Sequence, residues 1–490
     1  MRNKLIGSLR LPIVGVGTLV CSMSAFSVEI TTTEPIFSDS NDGYTLTIPA
    51  DTTNYFAGAI NVTKWLNVEG DGMLVLQNPN NEIGGGIDVK ANAAIRIDAQ
   101  GAQGSDKGTF VLRGSKARIL FNCEGLRFKN SINPKAKADY TKVCTVAAMK
   151  SVVCDSRIYG TSFSVGTEKG YEAHAVWNGE IEFQSSEGRA SCILPFGTNT
   201  FNGTIKSTGA IPACLKTDVS AAAHGPIFLN ASNDLAGIEF IYAGVDCGAE
   251  EALGGGYISH SRGNGENEGV FRLNGFDQHL TYISNTCVTV GRIPGPKSLG
   301  SRFESTLPAV LTLKGGAANA QSTSIFMFGT NVSLVCDFDE PSFLQIISNR
   351  THTTEHTVDV RRGLVRFDGE NTWTKLSELK IGAEGVLTNA SVSASSLAAL
   401  TNICVSGRFV QTNAGPSPFG DSVKSVSIDG SNASVELPSD CVLRTEHLFV
   451  NGKDMPRGRY SASSLALPQL KTGAIHVTVG CKIGMIVIAR

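Results

Sequence analysis

The residues whose types and spacing bear on chemistry are few. His352-Thr-Thr-Glu355-His356 matches the His-x-x-Glu-His order of inverted zinc hydrolases. That chemistry needs a helix, which puts two histidines four apart on one face with the glutamate beside them. The flanks, Asn349 to Val358, are β-branched, and strand alternation separates Glu355 from both histidines, so the segment reads as an exposed polar turn. Asp337, Asp339 and Glu340 offer oxygen ligands for calcium. The two aspartates fall out of phase with Val332, Leu334, Cys336 and Phe338, which makes them the solvent side of a strand. His224, in Ala223-His-Gly225, lacks the aspartate pair that pectin cleavage requires, and Arg127-Phe-Lys129 lies upstream of it, the reverse of the order in such enzymes. Gly254-Gly-Gly256 is followed by neither a helix nor Lys-Ser/Thr, so it marks a corner rather than a phosphate cradle. Asn230, Asn331 and Asn432 fit the Asn-x-Ser/Thr pattern but are read as turn residues. No catalytic, cofactor-binding or metal-binding residue is assigned, and no cofactor is expected.

Composition narrows the field further. The chain has 42 Lys+Arg against 44 Asp+Glu, so no net field draws it to nucleic acid or to an anionic membrane. Charged residues are only 18% and glycines number 53, a lean, turn-rich makeup that suits all-β structure. Arg2, Lys4 and Arg10, an apolar run from Leu11 to Val20, and Ala25-Phe-Ser27 have the layout of an export signal cleaved after Ser27. The run is too short to span a membrane. Of the 12 cysteines, Cys21 lies in that leader, so 11 remain and one at least has no partner within the chain. No Cys-x-x-Cys occurs, and Cys336 sits on the apolar face of its strand as a small hydrophobe.

The elements that would position any site are strands. From Met73 to Gly104, Leu74 and Leu76, then Ile87 and Val89, then Ile95 and Ile97 alternate between Asn- and Gly-rich turns. Three strands in about thirty residues without a helical period make one coil of a β-solenoid. The pattern returns at Ile227–Gly256, where Asn233 corresponds to Asn81, and Asn and Gly are read as corner residues that tolerate tight backbone. Residues 129–145 are read as a loop excursion, and 343–348 and 394–403 as two short helices, neither able to build a layer.

Leu74 to Gly104, Leu229 to Gly256, Leu273-Asn-Gly-Phe-Asp-Gln278 and the closing Val450-Asn-Gly-Lys-Asp-Met-Pro-Arg-Gly-Arg-Tyr460 together resemble the autotransporter-associated β-strand repeat proteins of bacterial surfaces. The resemblance implies an all-β, right-handed, single-stranded parallel β-helix (a β-solenoid, pectin-lyase-like) with loop excursions. It would be organised as a signal peptide at 1–27, a passenger-like solenoid with an N-terminal cap at 28–460, and end strands at 461–490. The about thirty residues after Tyr460 are too few for a translocator barrel, so export by another route or retention in the periplasm is expected. The expected function is that of a secreted or surface-exposed, non-enzymatic scaffold or adhesin whose partners are cell-surface glycans or other surface proteins. The alternative is a polysaccharide lyase or glycoside hydrolase on the same fold. At about 20 residues per coil and ~4.8 Å per step, the rod would approach ~100 Å.

Overall fold

A computed structural model describes residues 28–481 except 91, 136–143, 162, 185–192, 196, 209–213, 217–225, 241–243, 261–269, 286–301, 316–320, 325–326, 339–342, 348–350, 353–356, 370–371, 392–395, 414–417 and 421–422. Within them the chain is all-β and contains no helix, and its strands stack in parallel as a β-solenoid. Coil length varies along the chain: one turn takes Thr53 to Met73, but another takes Arg118 to Thr145.

Each coil visits three faces in order. The first is the sheet from Val28–Thr32 through Thr52–Phe56 and Met73–Leu76 to Ile193–Pro195. The second begins with Ile36–Ser38, Ile60–Val62 and Glu82–Ile83, and resumes from Leu126–Phe128 to Met327–Phe328. The third runs from Tyr44–Ile48 to Ile205–Ser207. Further along, Thr357–Asp368 and Glu378–Asn389 each cover two faces, bending at Gly363, whose φ is +82°, and at Gly385 beside it. A Cβ on Gly385 would lie 2.1 Å from the Val360 carbonyl oxygen, so the corner closes only around a residue without one.

Alternation works as the sequence implies. Inward residues stack into columns such as Leu74, Ile95, Ile119, Val146 and Val165, all buried. Cys336 continues an aliphatic column between Leu313 and Val360, and burial pushes its thiol pKa up. On the second face one column reads Phe128, Cys154, Trp177, Phe201, Leu229, Cys247. Its neighbour carries Phe271, Phe303 and Phe328, stacked at 4.9 and 6.0 Å between ring centroids. Cys154, Cys247 and Cys336 are buried with free thiols, filling the core as small hydrophobes.

Three readings of the sequence are corrected. Residues 343–347 are a strand, Phe343–Ile347, pairing in parallel with Gln321–Ser324 and with Leu364–Asp368; cross-chain pairing overrides a weak local helical bias. Likewise Leu397 bridges Phe419 and Asn402–Val405 is a strand, so 394–403 holds no helix among its described residues. Within 129–145, Ser131–Pro134 is a strand whose Ile132 and Pro134 are buried, and Cys144 opens another; 136–143 lie outside the described residues.

The C-terminal end is sealed by strands that run against the rest. Val450-Asn-Gly-Lys453 turns at Asn451 and Gly452, with φ of +49° and +74°, and lays Lys453–Asp454 antiparallel on His447–Val450. Beyond Tyr460, Leu470–Thr472 covers Ser434–Glu436, while Ala474–Val477 pairs with Val442–Thr445 on one side and antiparallel with Gly458–Ser461 on the other. Residues 482–490 and the leader 1–27 lie outside the described residues.

Candidate functional site

The sequence candidates are dispersed rather than gathered. His352 lies in a two-residue strand, Thr351–His352, and Glu355 and His356 fall outside the described residues, as do His224, Asp339 and Glu340. Asp337 points outward and pairs with Arg362 at 2.5 Å, which holds its carboxyl below the usual range. Arg127 pairs with Asp155, and Lys129 with Asp106 at 3.1 Å, so that motif is tied up in ion pairs between coils. Gly254 and Gly255 are corners with φ of +78° and +76°. Asn331, at φ +60°, is a left-handed turn residue whose Nδ2 donates to Ser305 and Thr306 carbonyls. Among the described residues no three His, Cys, Asp or Glu side chains group as a metal site, and no helix is long and apolar enough to cross a membrane.

Asparagine does more than turn the chain. Asn81 is buried and its φ is not left-handed; its side chain reaches the coils on both sides. Ile60 N–H donates to its Oδ1 at 2.9 Å, and its Nδ2 donates to the Ala102 carbonyl at 2.8 Å. Asn233 repeats the arrangement, accepting from Ile205 N–H at 2.8 Å and donating to Ala252 O at 2.7 Å. In each case the following coil supplies a left-handed glycine pressed on the preceding strand: Gly104 over Ile83 and Gly254 over Leu235. A Cβ on either would come within 2.8 Å of those residues' backbone nitrogens. The corner reading of this asparagine is therefore corrected: the residue recurs because a buried amide satisfies one donor and one acceptor of neighbouring coils, which a backbone-only argument does not require.

A second kind of amide row runs along the outside. Immediately after four successive second-face strands stand Asp155, Asn178, Asn202 and Asn230. Each asparagine Nδ2 donates to the oxygen before it, at 2.7, 2.8 and 2.8 Å. Asn230 thus belongs to this ladder. On the third face, Arg157 pairs with Glu182 and, at 3.1 Å, with Glu180, which Lys206 also holds at 2.7 Å. Glu182 Oε1 accepts from Thr208 Oγ1 at 2.7 Å and from Gln184 Nε2 at 3.1 Å. The Thr208 and Gln184 hydrogen bonds and Arg157 together hold the Glu182 carboxyl at about 2, against an ordinary 4.5. A general acid needs its carboxyl pushed the other way. Glu182 is built to stay ionised and to lock adjacent coils together.

Its linkage has a definite sign. With the folded-state value depressed, the stabilisation is fully present above about 4.5 and is lost as pH falls towards about 2. A series of melting temperatures between those limits is expected to fall more steeply for the native chain than for Glu182→Gln, and equal slopes would contradict the assignment.

Comparison with protein-family profiles, with curated proteins and with solved structures finds no match. The stacked three-faced geometry and its side-chain rows are what the function must be argued from.

Proposed function

We propose that the chain is an exported, non-enzymatic scaffold that presents a rigid, weakly adhesive flank to cell-surface glycans or other surface proteins. The observation that carries this reading is the commitment of outward polar groups to one another along the rod. The asparagine ladder from Asp155 to Asn230 and the Arg157–Glu180–Glu182–Lys206 cluster spend their hydrogen-bonding capacity on coil-to-coil contacts. Asp155, Glu182 and Asp337 are all held below the ordinary carboxyl range, the state of a structural anion rather than of a proton donor. A stiff lattice of repeated polar groups suits contacts that are individually weak and gain strength by number. The leader-like first 27 residues support export.

The test is to incubate the purified chain from residue 28 onward with a panel of plant, bacterial and animal polysaccharides, with and without calcium. No new reducing ends and no unsaturated products are expected, together with retention of coated beads on at least one glycan or cell surface. Sustained cleavage of any polymer would sink the scaffold reading.

A further inference from the structure

Near the first coils one outward patch is not tied up in coil-to-coil contacts. The second face loses its regular strand after Glu82–Ile83, because the next coil makes a turn there, closed by Ala102 N–H to Ala99 O and Gly104 N–H to Gly101 O. The step leaves an open groove of about 530 Å³ whose lining includes Asn61, Thr63, Glu82, Gly84 and Ser105. That volume is in the range of sites for small ligands. Leading up to it is an outward row in register: Phe37 opposite Asn61, and Asn61 opposite Glu82.

The three members of that row are uncommitted. Phe37 is 69% exposed. The Asn61 side chain makes no hydrogen bond among the described residues, and its Oδ1 is enclosed without a donor. Glu82 is exposed and makes no ion pair among the described residues, whereas Glu69, Asp88 and Asp98 in the same region each hold a Lys or Arg at 2.8 Å. An amide, a carboxylate and a hydroxyl spaced along strands, with an exposed ring at one end, offer hydrogen bonds to vicinal hydroxyls and a flat apolar surface for a pyranose C–H face. No Lys, Arg or His lines the groove, so it has nothing with which to favour sulfate, phosphate or a sugar acid.

We propose that this groove binds a neutral oligosaccharide, with Glu82 and the Asn61 Nδ2 addressing its hydroxyls and Phe37 stacking on one ring. The proposal rests on the adhesive reading and gives it a location. The test is calorimetric titration of the chain from residue 28 with cellotetraose, maltotetraose, mannotetraose and chitotetraose, and with a heparin tetrasaccharide for contrast. At least one neutral tetrasaccharide is expected to bind and heparin not to. Phe37→Ala and Glu82→Gln are each expected to weaken that binding by about tenfold or more, with melting temperature unchanged. Neutral sugars that bind the native chain and both variants equally would overturn the groove while leaving the adhesive reading intact. A chain that adheres to cells but binds heparin and none of the neutral probes would also overturn the groove. Failure to adhere to any surface would instead remove the reading beneath it.

Discussion

Asn81→Leu is expected to destabilise the N-terminal coils by about 2–6 kcal/mol, because it strands two buried backbone groups at about 1–3 kcal/mol each. Leucine matches the asparagine in size and is at home among Ile60, Ile83 and Ala102, so an account based on burial alone expects little change. The account based on hydrogen bonding differs: Ile60 N–H and the Ala102 carbonyl lose the amide that bridges them. Urea unfolding should show the loss as a lower midpoint at unchanged slope. Amide exchange should show it first at Ile60, since a stacked array passes damage chiefly to its nearest neighbours. The same substitution at Asn233 should behave alike, with Ile205 as the reporting amide. A leucine variant as stable as the native chain would return this residue to a mere corner.

Trp177→Ala is the other large effect, expected at about 3–5 kcal/mol. The indole is buried in the second-face column, 6.3 Å from the Phe201 ring at 15° and 6.4 Å from Phe121 at 50°. Its Nε1–H donates to Asn199 Oδ1 at 3.1 Å, satisfying an amide that is itself fully buried. Two losses therefore combine, a cavity in a stack and an orphaned acceptor. Trp177→Phe separates them, keeping most of the ring while removing the donor, and is expected to cost about 1–3 kcal/mol. Thermal unfolding of the two variants in parallel measures both, and an alanine variant no worse than phenylalanine would show that the hydrogen bond, not the stack, holds this coil.

The fold was legible in the sequence to the extent that it rests on alternation. Leu74, Leu76, Ile87, Val89, Ile95 and Ile97 were each read as inward, and each is buried, because a strand packed on one face leaves a period of two in the chain. The repeat was legible too: Asn81 and Asn233 were matched by their surroundings and make the same pair of hydrogen bonds. What the sequence did not reveal was why they recur, since a buried amide and a left-handed turn leave the same letter. Residues 343–348 were read as a short helix, whereas Phe343–Ile347 is a strand whose state is imposed by partners in the coils on either side. The Phe37–Asn61–Glu82 row was missed for a related reason. Its members stand 24 and 21 positions apart, and only the coil register brings them side by side.

The antiparallel clasp at the C-terminal end has a consequence for colloidal behaviour. A parallel solenoid edge is a comb of backbone donors and acceptors on which any matching strand can deposit, much as a molecule adds to the growing step of a crystal. Lys453–Asp454 and Gly458–Ser461 deposit there from within the chain but in reversed direction, and the Asn451-Gly452 turn and Pro456 break the comb's period. The clasp thus acts as a growth inhibitor covalently attached to the lattice, ending two of its edges on reversed strands that a further parallel coil would not match.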